Sequence, residues 1–415
     1  MRKHIFMLLM AALTLISCGG SGGDDPTPSP TPTPDPTPTP TTKSHGLLVY
    51  CMGSGTGLQD EMDKNITRIV QAASSVIGDN SKICIFYDRV YDASNKNHDT
   101  YTRLTEVRKV DGRTKQVQIK EWVPSETSTV DPSFMTEVMK LARQTMGTDT
   151  YGLVLSSHGG GWVPSDTYDA FVAQESAANG SMEAKADLPK TKFFGEDSGE
   201  FMEVPTLSKA LTDAGKWEYI LFDACFMSSV EALYDLRTNA DYIIASPAEV
   251  MSGGFPYDTI IPLLFGSTDH GLTDVCKAYM EAYKNSSATV ALVQTSKLDA
   301  LLSAAKPLYK AAASANINTA SLQGYEGFSP HLFFDLAQYL QQSGATSAQL
   351  SAFSTALKAA VLYEGHTSTI TSGCGSKAGK VAISTSCGLT CHVPVSGYDA
   401  LHTAWLATDW GKAVQ

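Results

Sequence analysis

Positive charge is scarce in this sequence: its 415 residues carry Lys+Arg 31 against Asp+Glu 43, a formal net charge of −12. Such a chain offers no broad basic face to a phosphate backbone, which argues against nucleic acid as a partner. Long apolar runs are scarce too. Only Ile5 to Ile16 stands out, and nothing approaches the ~18 consecutive apolar residues of a spanning helix. Gly-x-Ser-x-Gly occurs only at Gly19 to Gly23, away from any strand-to-helix elbow, which disfavours a serine esterase. The run Gly53-Ser54-Gly55-Thr56-Gly57 lacks both the Lys-Ser/Thr of a phosphate loop and dinucleotide glycine spacing, so it reads as a turn. Cys374, Cys387, Cys391 and His392 lack the paired Cys-x-x-Cys spacing of zinc sites, so a disulfide or plain burial is expected there. No internal repeat is visible. What is present is ordinary: 43% hydrophobic and 18% charged residues, enough apolar material for large cores.

The N-terminus reads as an address. Arg2 and Lys3 precede the apolar run, and Leu15-Ile16-Ser17-Cys18 closes it, as in a secretion signal whose end resembles a bacterial lipobox. Lipidation of Cys18 is expected. From Pro26 to Pro40 proline occupies every second position, eight of the chain's 19 prolines. That alternation gives an extended spacer of roughly 3 Å per residue. Asp24-Asp25 resembles the acidic tag of outer-membrane surface lipoproteins. The expectation is an exported protein held in the outer membrane by lipid, on its periplasmic or its surface face. In that oxidising setting the cysteine count matters, since removing Cys18 from eight leaves an odd number and at least one free thiol.

Beyond the spacer, near-continuous apolar runs alternate with helical patterns. The runs are Gly46–Met52, Ile83–Tyr87, Tyr151–Leu155, Tyr219–Phe222 and Tyr242–Ala245, separated by helices near 58–76, 131–146, 206–214 and 228–236. Asp111-Gly112 between two alternating stretches predicts a hairpin, because both turn positions need positive φ. Buried strands alternating with helices predict an α/β fold: a doubly wound, mostly parallel sheet with helices on both faces, its site beyond the carboxyl ends of the strands. After about Pro262 the chain turns Ala-rich and mainly helical, with runs at 274–283, 297–314, 332–341 and 347–362. Thr289–Gln294 and Leu389–Val395 could each add a strand.

Two apolar strands end in titratable groups instead of ordinary turns: one in Ser157-His158-Gly159-Gly160-Gly161-Trp162, the other in Phe222-Asp223-Ala224-Cys225-Phe226-Met227. If both strands run parallel in one sheet, His158 and Cys225 reach the same edge, where an imidazole can make a thiolate and then protonate a leaving amine. Each residue alone has a plainer reading, a core cysteine and a turn histidine. The glycines suit a backbone that closely approaches a carbonyl, with the N–H groups of Gly159 and Cys225 offered to an oxyanion.

These two blocks, in this order, resemble those of clostripain-type cysteine peptidases, relatives of gingipains, legumain and caspases. The resemblance extends more loosely from about Leu47 through Cys387-Gly388-Leu389-Thr390 to the segment Tyr398 to Trp405. It implies a caspase-like catalytic domain over 44–265 behind a signal peptide (1–17) and a lipidated linker (18–43), with 266–415 completing the fold. It also implies endopeptidase cleavage after Arg or Lys, no required cofactor, and calcium as a possibility by resemblance only. Asp223 is expected in the primary pocket. Its plainer reading is a strand-end acid accepting backbone N–H bonds. The family's second pocket acid falls in the loop Ser246 to Gly254, which departs from the usual pattern and leaves Glu249 as the candidate and the choice between Arg and Lys open. Relatives are activated by cleavage between the blocks. Here the 67 positions separating His158 from Cys225 include a polar stretch, Ser165 to about Glu203, read as an exposed loop. It carries Lys185, Lys190 and Lys192 as self-cleavage candidates, the last beside Phe193-Phe194, which should anchor in the core. An alternative keeps the fold and drops the chemistry: an inactive surface lipoprotein that binds peptide or glycan.

Overall fold

Eight consecutive residues with no exposed side chain need a partner on every side, and strand β1 (His45–Met52) has one: it is buried throughout and lies inside a nine-stranded sheet. The computed structural model describes residues 43–90, 99–178, 194–266 and 271–415. β1 pairs in parallel with β2 (Ser81–Arg89) on one side and β5 (Thr150–Ser156) on the other. β6 (Trp217–Asp223) follows β5 in parallel, and β7 (Ala240–Ala245) follows β6. The hairpin β3 (Tyr101–Val110) and β4 (Arg113–Trp122) extends the β2 edge antiparallel. Its turn is Asp111-Gly112, with φ of 51° and 76°, as the sequence predicts.

Alternation along β1 feeds two cores. Leu48, Tyr50 and Met52 enter one apolar layer, while Leu47, Val49 and Cys51 enter the other. Each large side chain so buried contributes about 1.5–3 kcal/mol. Helix α1 (Gln59–Ala72) presents Met62, Ile66 and Ile69 to the second layer. Helix α2 (Pro132–Met146) covers the first layer. Asp131 starts it by accepting the Phe134 N–H at 2.8 Å, and Gly147 ends it at a φ of 57°. Among the described residues no helix is long and apolar enough to cross a membrane.

Four elements differ from the sequence reading. The stretch from Ser165, expected as loop, begins with helix α3 (Ser165–Ala178), because Tyr168 and Phe171 pack against Phe328, 5.8 and 5.2 Å away between ring centroids. Further on, Asp197 is buried and accepts the Thr129 N–H at 2.7 Å, which fixes the end of the same stretch. After α4 (Val204–Ala214), α5 (Val230–Asp235), α6 (Tyr257–Leu264) and α7 (Leu272–Tyr283), the chain adds β8 (Thr289–Gln294) antiparallel to β7. Helices α8 (Leu298–Ala312), α9 (Leu336–Gln341) and α10 (Ser347–Ala360) follow. α10 does not run to Leu362: the chain turns extended at Val361 and forms β9 (Val361–His366) on β8. The run Leu389–Val395 yields only the pair Thr390–Cys391, bonded to Phe334–Asp335. A further hairpin, Thr369–Ser372 with Gly379–Ala382, had no signal in the sequence. Helices α11 (Asp399–Ala407) and α12 (Asp409–Val414) close the chain.

Candidate active site

In a sheet whose order turns back at β1, the crevice opens beyond the carboxyl ends of the strands. A cavity of about 290 Å³ lies there, lined by His158, Cys225, Asp223 and Glu249. β5 delivers His158 and β6 delivers Cys225, each two residues past the last strand position. β6 ends at Asp223, the chain turns at Phe226 with a φ of 59°, and both Asp223 and Cys225 line the cavity.

His158 is oriented by a backbone oxygen. Its Nε2 lies 2.9 Å from the Thr56 carbonyl, and a carbonyl only accepts, so Nε2 carries the proton and Nδ1 is the basic nitrogen. Thr56 belongs to the glycine-rich turn between β1 and α1. Its hydroxyl donates to the Gly53 carbonyl at 2.9 Å and accepts from the Leu58 N–H at 3.1 Å. The Cys225 sulfur accepts the Val250 N–H at 3.4 Å. Burial, and next the Glu249 carboxylate, push the Cys225 thiol up to about 12. His158 and Cys225 make no hydrogen bond to each other, and the rise in the Cys225 value favours the neutral thiol.

The two blocks meet backbone to backbone. A Cβ on Gly159 would fall 2.4 Å from the Cys225 carbonyl oxygen and 3.0 Å from its nitrogen, closer than any side chain allows. Gly161, at a φ of 64°, is similarly pressed, its Cβ position lying 2.8 Å from the Phe226 oxygen. The backbones of Gly159 and Cys225 are therefore in close approach.

Asp223 lies beneath Gly254, where a Cβ would come within 2.5 Å of its Oδ2. The Tyr257 hydroxyl donates to that same oxygen at 2.7 Å. Burial pushes the Asp223 carboxyl up to about 6. Among the described residues no group of three His, Cys, Asp or Glu side chains that could hold a metal ion occurs.

The model of the Clostripain family, peptidase group C11, matches residues 49–383, most of the chain. The chain belongs to the clostripain family. Clostripain of Hathewaya histolytica is 21% identical over 216 residues, a stretch covering 49% of this chain and 36% of that protein. An inactive zymogen C11 protease from Parabacteroides distasonis superposes with a TM-score of 0.75 at 24% identity, over 90% of this chain and 99% of that one. A secreted C11 cysteine protease from Bacteroides thetaiotaomicron gives 0.74 at 24% identity, over 91% and 100%. At these identities the structural likeness is one of fold: the mostly parallel sheet, its helices on both faces and the helical C-terminal part are those of the family.

Within this clostripain-family fold the other expected residues fall as follows. Glu249 lines the cavity, but its carboxylate is already engaged by Ser372, Gly373 and Cys374 of the late hairpin. Lys185, Lys190, Lys192 and Cys18 lie outside the described residues. Phe194 is fully buried, its ring 5.5 Å from that of Phe222, and Gly195 donates its N–H to the His158 carbonyl at 3.1 Å. Of the expected anchor Phe193-Phe194, Phe194 is thus buried beside the histidine block, while Phe193 lies outside the described residues. Thr56, Tyr257 and the hairpin tip went unseen in the sequence. The seven cysteines among the described residues are all unpaired, and of these Cys225 lines the crevice.

Proposed function

We propose that this clostripain-family protein is a cysteine endopeptidase that cuts after Arg or Lys, with Cys225 as nucleophile and His158 as its acid and base. What carries the reading is a single cavity shared by a thiol, an imidazole and a buried carboxylate. His158 Nδ1 takes the thiol proton as the sulfur attacks the peptide carbonyl. The oxyanion so formed is received by the Gly159 and Cys225 N–H groups. Collapse breaks the C–N bond, His158 gives its proton to the departing amine, and water activated by the same imidazole hydrolyses the thioester. Asp223 meets the guanidinium or ammonium of the preceding residue, an ion pair within a desolvated pocket. We further propose export with a lipid on Cys18, and self-cleavage after Lys185, Lys190 or Lys192. The test is hydrolysis of a peptide library carrying every residue before the scissile bond, with Cys225→Ala and His158→Ala as controls. Cleavage after basic residues, lost in both variants, is expected. Preference for an acidic or aromatic residue, or near-normal activity in either variant, would overturn the reading, and a folded protein that binds peptide without cutting it would favour the inactive alternative.

A further inference from the structure

The hairpin of Thr369–Ser372 and Gly379–Ala382 lies far along the chain from both catalytic blocks, yet Thr371 and Gly373 line the cavity beside Cys225. Glycine-rich tips do not hold a position by themselves, since glycine imposes little backbone preference. This one is fixed at two points by carboxylates. Glu249, from the loop after β7, accepts from the Ser372 hydroxyl at 2.7 Å and the Cys374 thiol at 3.1 Å. It also takes the Gly373 N–H on both oxygens, at 3.0 and 2.9 Å. On the other side Glu175, buried on α3, accepts the Ser376 N–H at 3.2 Å, the Ser376 hydroxyl, and the Ser329 N–H at 3.1 Å. Between the two points the tip is pinned to Gly327: the Lys377 N–H donates to the Gly327 carbonyl at 2.8 Å, and the Gly327 N–H donates to Ser372 at 3.1 Å.

Carboxylate acceptors bonded to several N–H and O–H donors are among the stronger anchors a loop can have. Glu249 thus spends its oxygens on the hairpin, not on an incoming cation, although it stands in the pocket wall. Its neighbour Val250 bonds the Cys225 sulfur, so one short segment fastens both the wall and the nucleophile.

We infer that the hairpin tip is a substrate-recognition wall of the cavity, held in place by Glu249 and Glu175 as positioning residues. The inference rests on the proteolytic reading of the same site. Glu175 lies on the polypeptide between the two catalytic blocks, and so joins that polypeptide to the wall of the pocket.

The experiment measures kcat and KM on a peptide with Lys before the cut, together with alkylation of Cys225 by iodoacetamide, which is too small to need the wall. Glu175→Ala is expected to raise KM roughly tenfold while leaving kcat and the alkylation rate within about twofold. Glu175→Gln, which keeps an oxygen acceptor, should restore most of the loss, and Glu249→Gln should raise KM as well. If Glu175→Ala does not fold, as judged by circular dichroism and its unfolding transition, Ser376→Ala takes its place with the same expected direction. Unchanged KM in these variants overturns the inference, as does a fall in kcat and alkylation at constant KM, which would make the carboxylates supports of the nucleophile alone. A wild type that hydrolyses no peptide removes the proteolytic reading, and this inference with it, before any variant is compared.

Discussion

Thr56 holds His158 across 102 residues of sequence through a backbone oxygen, the carbonyl lying 2.9 Å from Nε2. The contact fixes the tautomer, and the Thr56 side chain fixes the contact by bonding both sides of its own turn.

Thr56→Ala should therefore lower kcat by roughly threefold to tenfold, the usual range for loosening rather than removing a proton-transfer group, with KM little changed. Thr56→Ser, which keeps the hydroxyl, should lie near wild type. Steady-state kinetics on one basic peptide decides it, and equal rates for Thr56→Ala and wild type would remove the turn from the mechanism.

Asp223 should act in opposite directions on substrate and on nucleophile. Its carboxyl is pushed up to about 6 by burial, so the pocket gains its charge only as pH rises through that value. Below it, discrimination in favour of Arg and Lys should fade. The ionised carboxylate also stands against a Cys225 thiolate. Asp223→Asn should then depress cleavage after basic residues while moving Cys225 alkylation to lower pH. If the variant shifts alkylation to higher pH, the carboxylate is helping the thiolate and the assignment of the pocket is wrong.

A pocket that takes Lys should also let the protein cut itself. Incubating wild type and Cys225→Ala and then sequencing new N-termini should show the wild type cut after Lys185, Lys190 or Lys192, and the variant whole. A wild type that is fully active while uncut would dissociate cleavage from activity.

How far the sequence carries the reader depends on which part of a residue does the work. β1, β5 and β6 were legible because strands buried on both faces must read as unbroken apolar runs. His158 and Cys225 were legible because each ends such a run with a titratable side chain. Thr56 contributes a carbonyl, which every residue has, so its glycine-rich turn could be placed but not given a role. Glu249 stands out in the sequence as an acid in the right loop, but its partners lie more than a hundred residues further on and sit in a hairpin the sequence does not announce. The helix α3 was hidden for a related reason: Phe171 and Tyr168 find their apolar neighbours in Phe328 and, for Phe171, Tyr398, ring centroids 5.4 Å apart. β9 has no mark in the sequence, because nothing between Ala360 and Val361 breaks the helical pattern.

Glu231 supplies the last prediction, and it concerns stability instead of catalysis. The side chain, on α5, is fully buried, and its Oε1 accepts the His392 backbone N–H and the Trp405 indole N–H, both at 2.9 Å. Its Oε2 has no partner among the described residues. Burial pushes this carboxyl up to about 7, whereas in an unfolded chain it titrates near ~4.3. Because the folded value is the higher, the stability linked to this group is fully present below the unfolded value and is lost as pH rises through 7. His392 works in the other direction: burial and His402 push it down to about 3, so its contribution is lost only as pH falls. The Glu231 contribution therefore falls between the unfolded value and about 7 and stays lost at higher pH. Glu231→Gln keeps an oxygen for the two N–H donors and cannot ionise, so at pH 8 it should melt a few degrees above wild type, a gain of order 1–3 kcal/mol at most. At pH 4.5 the two should melt together. Thermal unfolding at both pH values checks it: a variant less stable than wild type at pH 8 would mean that the carboxylate is ionised in place and that its two donors outweigh the cost of burying its charge.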